Sequence, residues 1–134
     1  MRRRNGLVAI CLFAAGCGGG GNGSPKPIQG PAKEAAAVVE RLHTALVQRD
    51  YQTVCDLLLS AAERRQAGGD QCPSILAQSA GDLRNPRITI EGIEIARDHA
   101  LVRVRTTAVG QAPARDVIRL VREGGRYRIA SLGG

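Results

Sequence analysis

The cysteines are the residues whose number and spacing say most about chemistry. The chain has four: Cys11 lies inside an apolar N-terminal run, Cys17 follows that run, and Cys55 and Cys72 are 17 positions apart in the remainder. We predict that Cys55 and Cys72 form a disulfide, because the N-terminal apolar run described below predicts export, and a cysteine pair in an exported chain meets an oxidising compartment. Closing a loop of this length stabilises the folded state by about 3 kcal/mol.

Two other uses of Cys55 and Cys72 stay open, as free thiols or as part of a metal or redox site. The chain has no CxxC motif, and His43 and His99 are its only histidines, which leaves few side chains to complete a metal site. We therefore expect no metal and no cofactor.

The first 16 residues have the layout of a secretory signal peptide, with arginines at 2–4 followed by an apolar run at 7–15. This run is about half the length that crosses a bilayer, so it predicts export and not a mature membrane span. The sequence at 14–17, AAGC, resembles the bacterial lipobox, in which the cysteine is acylated and becomes the mature N-terminus. We expect Cys17 to be lipidated, with palmitate or a similar chain, and to anchor the protein at the extracytoplasmic face of the cell membrane. Ordinary cleavage near Gly16, giving a secreted protein, is the alternative.

Residues 17–31 are rich in glycine, proline and polar side chains, a composition that cannot bury enough apolar surface to fold. We interpret them as a flexible tether with a reach of about 20 Å. Residues 32–134 then form a single domain.

The composition of the chain, 43% hydrophobic and 23% charged, is ordinary for a globular domain. Removing the leader takes away three arginines and lowers the formal net charge from +7 to +4. The chain lacks the basic cluster with interleaved aromatic residues that stacks on bases, so we expect no nucleic-acid partner.

Four helical segments are predicted in the first half of the domain. The first covers about 32–49, with an apolar face that includes Val38 and Leu42. Asp50 can cap a second helix that carries Cys55, and the capping-box pattern at 60–63 begins a third, which stops at the glycines at 68 and 69. A fourth covers about 73–80.

From Arg87 onward the hydrophobic period changes to two, which predicts four strands. Gly92 interrupts the first strand and predicts a bulge there. Gly124 and Gly125 predict a tight hairpin between the last two strands. Helices followed by an antiparallel meander indicate an α+β fold, with N-terminal helices packed on a curved antiparallel sheet of about four strands.

This order of elements, with the phrases RDYQTVCDLL at 49–58 and LVREGGRYRI at 120–129, resembles the nuclear transport factor 2-like superfamily, also called SnoaL-like or cystatin-like α+β cone proteins. The resemblance covers 32–132 and extends to small actinobacterial lipoproteins of unknown role. It departs from the superfamily at Arg49, where a small residue is usual. It implies a cone with a pocket between the first helix and the sheet, but it does not imply one function.

The resemblance also implies candidates for a catalytic site, since ketosteroid-isomerase-like members use a pocket carboxylate as a base. Asp116 is the one residue placed to be that base, and Tyr51 and Tyr127 could donate hydrogen bonds. With Thr106, they make up the possible pocket. The alternative is that Asp116 caps a strand and the tyrosines border the core; we expect this alternative and no enzymatic activity.

Binding is the function we expect, because the strand positions facing the helices are mainly aliphatic. The ligand would be small and apolar, or the partner another protein, including a second copy docked as a homodimer through the outer sheet face. Five arginines are predicted on that face, balanced by glutamates at 91, 94 and 123: Arg103, Arg105, Arg119, Arg126 and Arg128.

Overall fold

The computed structural model of the protein describes residues 29–133. The predicted signal peptide, the lipidation site at Cys17 and nearly all of the predicted tether lie outside the described residues. Of the helices in the described part, none is long and apolar enough to cross a membrane.

The described chain consists of helices followed by strands, as the sequence predicts. The helices are α1 (Pro31–Gln48), α2 (Tyr51–Thr53), α3 (Ala61–Gln66) and α4 (Cys72–Ala80), with a π-helical turn at Val54–Leu58 and a 3₁₀ turn at Gly69–Gln71. The strands are β1 (Arg87–Ile95), β2 (His99–Thr107), β3 (Ala114–Glu123) and β4 (Arg126–Leu132).

Helix α1 begins at Pro31, one residue before the predicted domain boundary, because proline suits the first helical position. It ends in a Schellman motif, in which the backbone N–H of Asp50 donates to the carbonyl of Ala45 at 2.8 Å and that of Arg49 to Leu46 at 3.2 Å. This motif requires a left-handed residue, and Arg49 takes that conformation with φ 58°. The resemblance led us to expect a small residue at this position. Arg49 stands there instead, and its Cβ atom makes the left-handed conformation unfavourable.

Asp50 caps the next helical segment, as predicted. Its carboxylate accepts hydrogen bonds from the backbone N–H of Thr53 at 3.1 Å and from the Thr53 hydroxyl at 2.6 Å. The π-helical turn that follows presents Cys55 to the first residue of α4, and the predicted Cys55–Cys72 disulfide is confirmed. The two Cα atoms are 6.1 Å apart, and both residues are fully buried.

The four strands form one antiparallel sheet in sequence order, β1-β2-β3-β4. The register between β1 and β2 shifts between Ile90 and Gly92, which confirms the predicted bulge. The register between β3 and β4 also shifts, between Arg119 and Leu120. At the outer edge of β4, Leu59 pairs with Ile129 in parallel and Ser60 N–H donates to the Ile129 carbonyl at 2.8 Å.

The core lies between α1 and the inner face of the sheet. It is built mainly from aliphatic side chains, among them Val39, Leu42, Val102, Leu120 and Ile129, none more than 2% exposed. These side chains occupy the space under the middle of α1. The resemblance implied a pocket between this helix and the sheet, and two clefts lie there, one toward each end of α1.

Candidate functional site

The first opening, which we call the arginine cleft, lies between the N-terminal half of α1 and the β3–β4 hairpin. It has a volume of about 400 Å³ and an apolar floor that includes Val38, Leu58 and Tyr127. Arg41, Arg126 and Arg128 line it together with one acidic residue, Glu34.

Glu34 is already paired, because its carboxylate lies 3.2 Å from the guanidinium of Arg122. Arg122 also donates to the carbonyl of Gly125 at 3.3 Å. Arg128 donates to the backbone carbonyl of Leu57, which fixes its side chain beside the floor. Arg41 and Arg126 are exposed, and within the described residues neither forms an ion pair. The cleft can therefore attract an anion.

The second opening, which we call the apolar cleft, lies where the C-terminal end of α1 meets the start of β1 and the end of β2. It has a volume of about 270 Å³. Its lining is mainly aliphatic, with the hydroxyls of two threonines and the amide of one glutamine: Leu46, Leu83, Pro86, Ile88, Ala114, Thr106, Thr107 and Gln111. Among the described residues that line it, Arg87 alone is ionisable. This chemistry suits a small, uncharged or weakly polar ligand.

The two clefts lie at opposite ends of the sheet. Thr106, in the apolar cleft, is paired with Ala114, whereas Tyr127, in the arginine cleft, is paired with Arg122. Ala114 and Arg122 are eight residues apart on β3, about 26 Å along the strand. One small ligand cannot contact both, so the predicted pocket residues Thr106 and Tyr127 belong to different sites.

The other two predicted pocket residues line neither cleft. Tyr51 is 9% exposed and packs at the start of α2. Asp116 is exposed, although it shares a strand face with Ile118, and so are all the other residues of β3 before Ile118. The backbone continues to pair just beyond β4, where Gly133 N–H donates to the Val117 carbonyl at 3.2 Å. The structure therefore does not bring Asp116 together with a tyrosine inside the cone.

His43 is half-buried and makes a specific contact. Its Nε2 donates to the carbonyl of Pro86 at 3.0 Å, which ties α1 to the segment that enters β1. This bond gives His43 a structural role.

In the part of the chain that the structure describes, two carboxyl groups have lowered pKa values, and both lie outside the clefts. The Thr53 hydroxyl, followed by the Thr53 backbone N–H, lowers the pKa of Asp50. The hydrogen bond from His99 lowers the pKa of Asp98 in the β1–β2 turn. The hydrogen bonds that cause these pKa shifts stabilise the start of a helix and a turn. Neither carboxyl group lies in a cleft, where it could transfer a proton to a ligand. Within residues 29–133, no group of three or more His, Cys, Asp or Glu could hold a metal ion.

The predicted row of arginines divides into two groups. Arg103, Arg105 and Arg119 lie exposed on the outer face, where Arg103 is 3.6 Å from Glu94, and a further arginine, Arg115, is 3.1 Å from Glu91. Arg126 and Arg128 alternate with the buried Tyr127 but line the arginine cleft, because β4 is an edge strand. The sequence contains one signal for this site: a two-residue turn at Gly124 and Gly125 makes Arg122 and Tyr127 a cross-strand pair.

Comparisons with known proteins identify the fold. No family model matches the sequence, and no curated protein matches it. Among solved structures, a Campylobacter jejuni protein named as an NTF2-like transpeptidase superposes with a TM-score of 0.54 at 15% identity, over 73% of this chain and 98% of that one.

A de novo designed protein with the NTF2 fold, NT-9, superposes with a TM-score of 0.52 at 19% identity, over 74% of this chain and 83% of that one. At such low identities the similarity concerns the backbone fold and does not indicate that this chain shares an activity with either protein. With the helices-then-meander order and the four-stranded antiparallel sheet, it shows that this chain has the nuclear transport factor 2-like α+β fold.

Proposed function

We propose that the protein is a lipid-anchored extracytoplasmic lipoprotein whose domain binds a small apolar ligand in the apolar cleft. The observation that carries the binding proposal is the lining of that cleft, which is mainly aliphatic with few polar groups: two threonine hydroxyls, the amide of Gln111 and one arginine. Pockets of this kind obtain affinity from apolar burial and orientation from a few polar groups. The volume of about 270 Å³ limits the ligand to a small one.

Binding is favoured over catalysis because the apolar cleft has no carboxylate among the described residues that line it. An isomerase-like reaction requires a base within hydrogen-bond reach of the substrate. Asp116, the candidate from the sequence, is exposed and outside the cleft.

The ligand proposal is tested with the neutral probe N-phenyl-1-naphthylamine, whose fluorescence rises on entering an apolar site. Ala114→Trp fills the apolar cleft, whereas Ala96→Trp adds the same side chain at the exposed β1–β2 turn. We expect Ala114→Trp to abolish probe binding and Ala96→Trp to leave it intact. Equal binding by both variants, or loss with Ala37→Trp in the arginine cleft instead, would place the ligand elsewhere.

The anchor is proposed from the AAGC sequence at 14–17 and is tested separately. We expect the mature protein to have an intact mass that includes acyl chains on Cys17, and Cys17→Ser to release the protein from membranes. An unmodified N-terminus, or a wild-type protein found in the culture medium, would support secretion instead.

A further inference from the structure

We propose that the arginine cleft binds anionic lipid headgroups, so that the domain lies on the bilayer with this cleft facing the membrane. The first support is charge. Arg41, Arg126 and Arg128 line one cleft, and Glu34, the one acidic side chain among the described residues that line it, is paired with Arg122. Arginines near a membrane surface are attracted to phosphate-bearing headgroups, with which the guanidinium forms paired hydrogen bonds.

The second support is an exposed apolar side chain among these arginines. Leu57 lines the same cleft and is 49% exposed, although it belongs to the turn that packs against β4. A leucine surrounded by arginines matches the layered chemistry of a membrane surface, where phosphates lie above the first carbons of the acyl chains.

The third support is the position of the cleft relative to the start of the domain. Glu34 is three residues from Pro31, about 5 Å along α1, so the cleft lies at the end where the chain enters the domain. An anchor at Cys17 would hold this end near the bilayer. The apolar cleft, about 26 Å away along the sheet, would then open away from the membrane.

The orientation of the domain rests on the proposed anchor, whereas headgroup binding does not. The test therefore uses residues 18–134, which lack Cys17 and contain the whole core cluster from Ala35 to Ile129. Flotation is measured with vesicles of phosphatidylcholine alone and with vesicles containing 30% phosphatidylglycerol, at low and at high salt. We expect binding to the anionic vesicles only, and its loss at high salt because screening weakens exposed charges.

The matched variants are Arg41→Gln with Arg126→Gln in the cleft, and Arg103→Gln with Arg105→Gln on the outer face. Both pairs remove two positive charges from exposed positions. A contribution near 1 kcal/mol for each arginine predicts that the cleft pair lowers partitioning about 25-fold, and we expect less than about threefold for the outer pair. Thermal melting of both variants confirms that each is folded.

Three results would overturn the proposal. Equal losses in the two variants would indicate attraction by net charge alone. Binding to neutral vesicles would indicate a different surface. Binding to poly-glutamate without binding to anionic vesicles would assign the cleft to an acidic protein partner. Membrane fractionation of Cys17→Ser is done at high salt, where headgroup binding is lost, so release of this variant bears on the anchor alone and the two proposals fail independently.

Discussion

The guanidinium carbon of Arg122 lies 4.2 Å from the centroid of the Tyr127 ring, across the β3–β4 pair. The same guanidinium pairs with Glu34 on α1. One side chain therefore joins two strands and a helix at the wall of the arginine cleft. A cation over an aromatic face is attracted by the ring quadrupole, which adds to the ion pair.

We predict that Arg122→Met lowers the free energy of unfolding by about 1 kcal/mol, since it removes the cation–π contact and a partly exposed ion pair while keeping an apolar stem. Urea denaturation measures the change. The control is Arg103→Met, whose ion pair with Glu94 is more exposed and lacks an aromatic partner; its expected cost is below about 0.5 kcal/mol. Equal costs would remove any special role for the Tyr127 contact.

The disulfide should contribute about 3 kcal/mol, because it closes a loop of 17 residues in the unfolded chain. We expect reduction to lower the urea midpoint of the wild-type protein. The variant with both Cys55→Ala and Cys72→Ala should show the lower midpoint already and no further response to reductant. A wild-type midpoint unaffected by reductant would contradict the prediction.

Arg49→Gly is expected to stabilise the protein by about 0.5–1 kcal/mol. Arg49 has φ 58°, a conformation that glycine adopts without the clash of a Cβ atom. The control is Glu40→Gly, at an exposed position inside α1, which should destabilise by about 1 kcal/mol. If both glycines destabilised equally, the end of α1 would not carry the strain assigned to it.

The stability of the protein should fall at acid pH through Asp50. The pKa of Asp50 in the folded state is lowered from its ordinary value of 3.8, so the carboxylate contributes stability above that value and loses it as pH falls through the folded pKa. Asp50→Asn keeps a capping oxygen but does not titrate. We expect the advantage of the wild type over Asp50→Asn to be constant above about pH 5 and to shrink below pH 4. Urea unfolding from pH 6 to pH 2.5 measures it, and parallel pH profiles would contradict the assignment.

The order and type of the elements could be predicted from the sequence because each depends on local signals. Asp50 and Ser60 cap helices with their own side chains, and Gly92 marks a bulge through its missing Cβ. The cysteine pairing followed from elimination. By contrast, the bulge between β3 and β4 places its extra residue at Ala130, where no glycine marks it. The left-handed Arg49 has no sequence signal other than its departure from the related pattern.

The candidate sites were less predictable because they depend on where elements end in space. Asp116 has the same strand phase as Ile118, yet it is exposed, as are all the residues of β3 before Ile118. Arg126 and Arg128 have the phase of the outer face, yet they line a cleft because β4 is an edge strand beside α1. Alternation gives the face of a residue, but not whether another element covers that face.

The backbone features at the two edges of the sheet affect how neighbouring copies of the protein can contact one another when they are crowded together. On β1, the extra residue at Glu91 breaks the row of backbone groups that a strand from another molecule would pair with. On β4, Leu59 and Ser60 already pair with the backbone of Ile129, so its groups are not free to bind another strand. Exposed, regular edges recruit further strands and lead to aggregation. Many copies concentrated on one surface would therefore meet through side chains, and their sheets would resist fusing into a continuous β-structure.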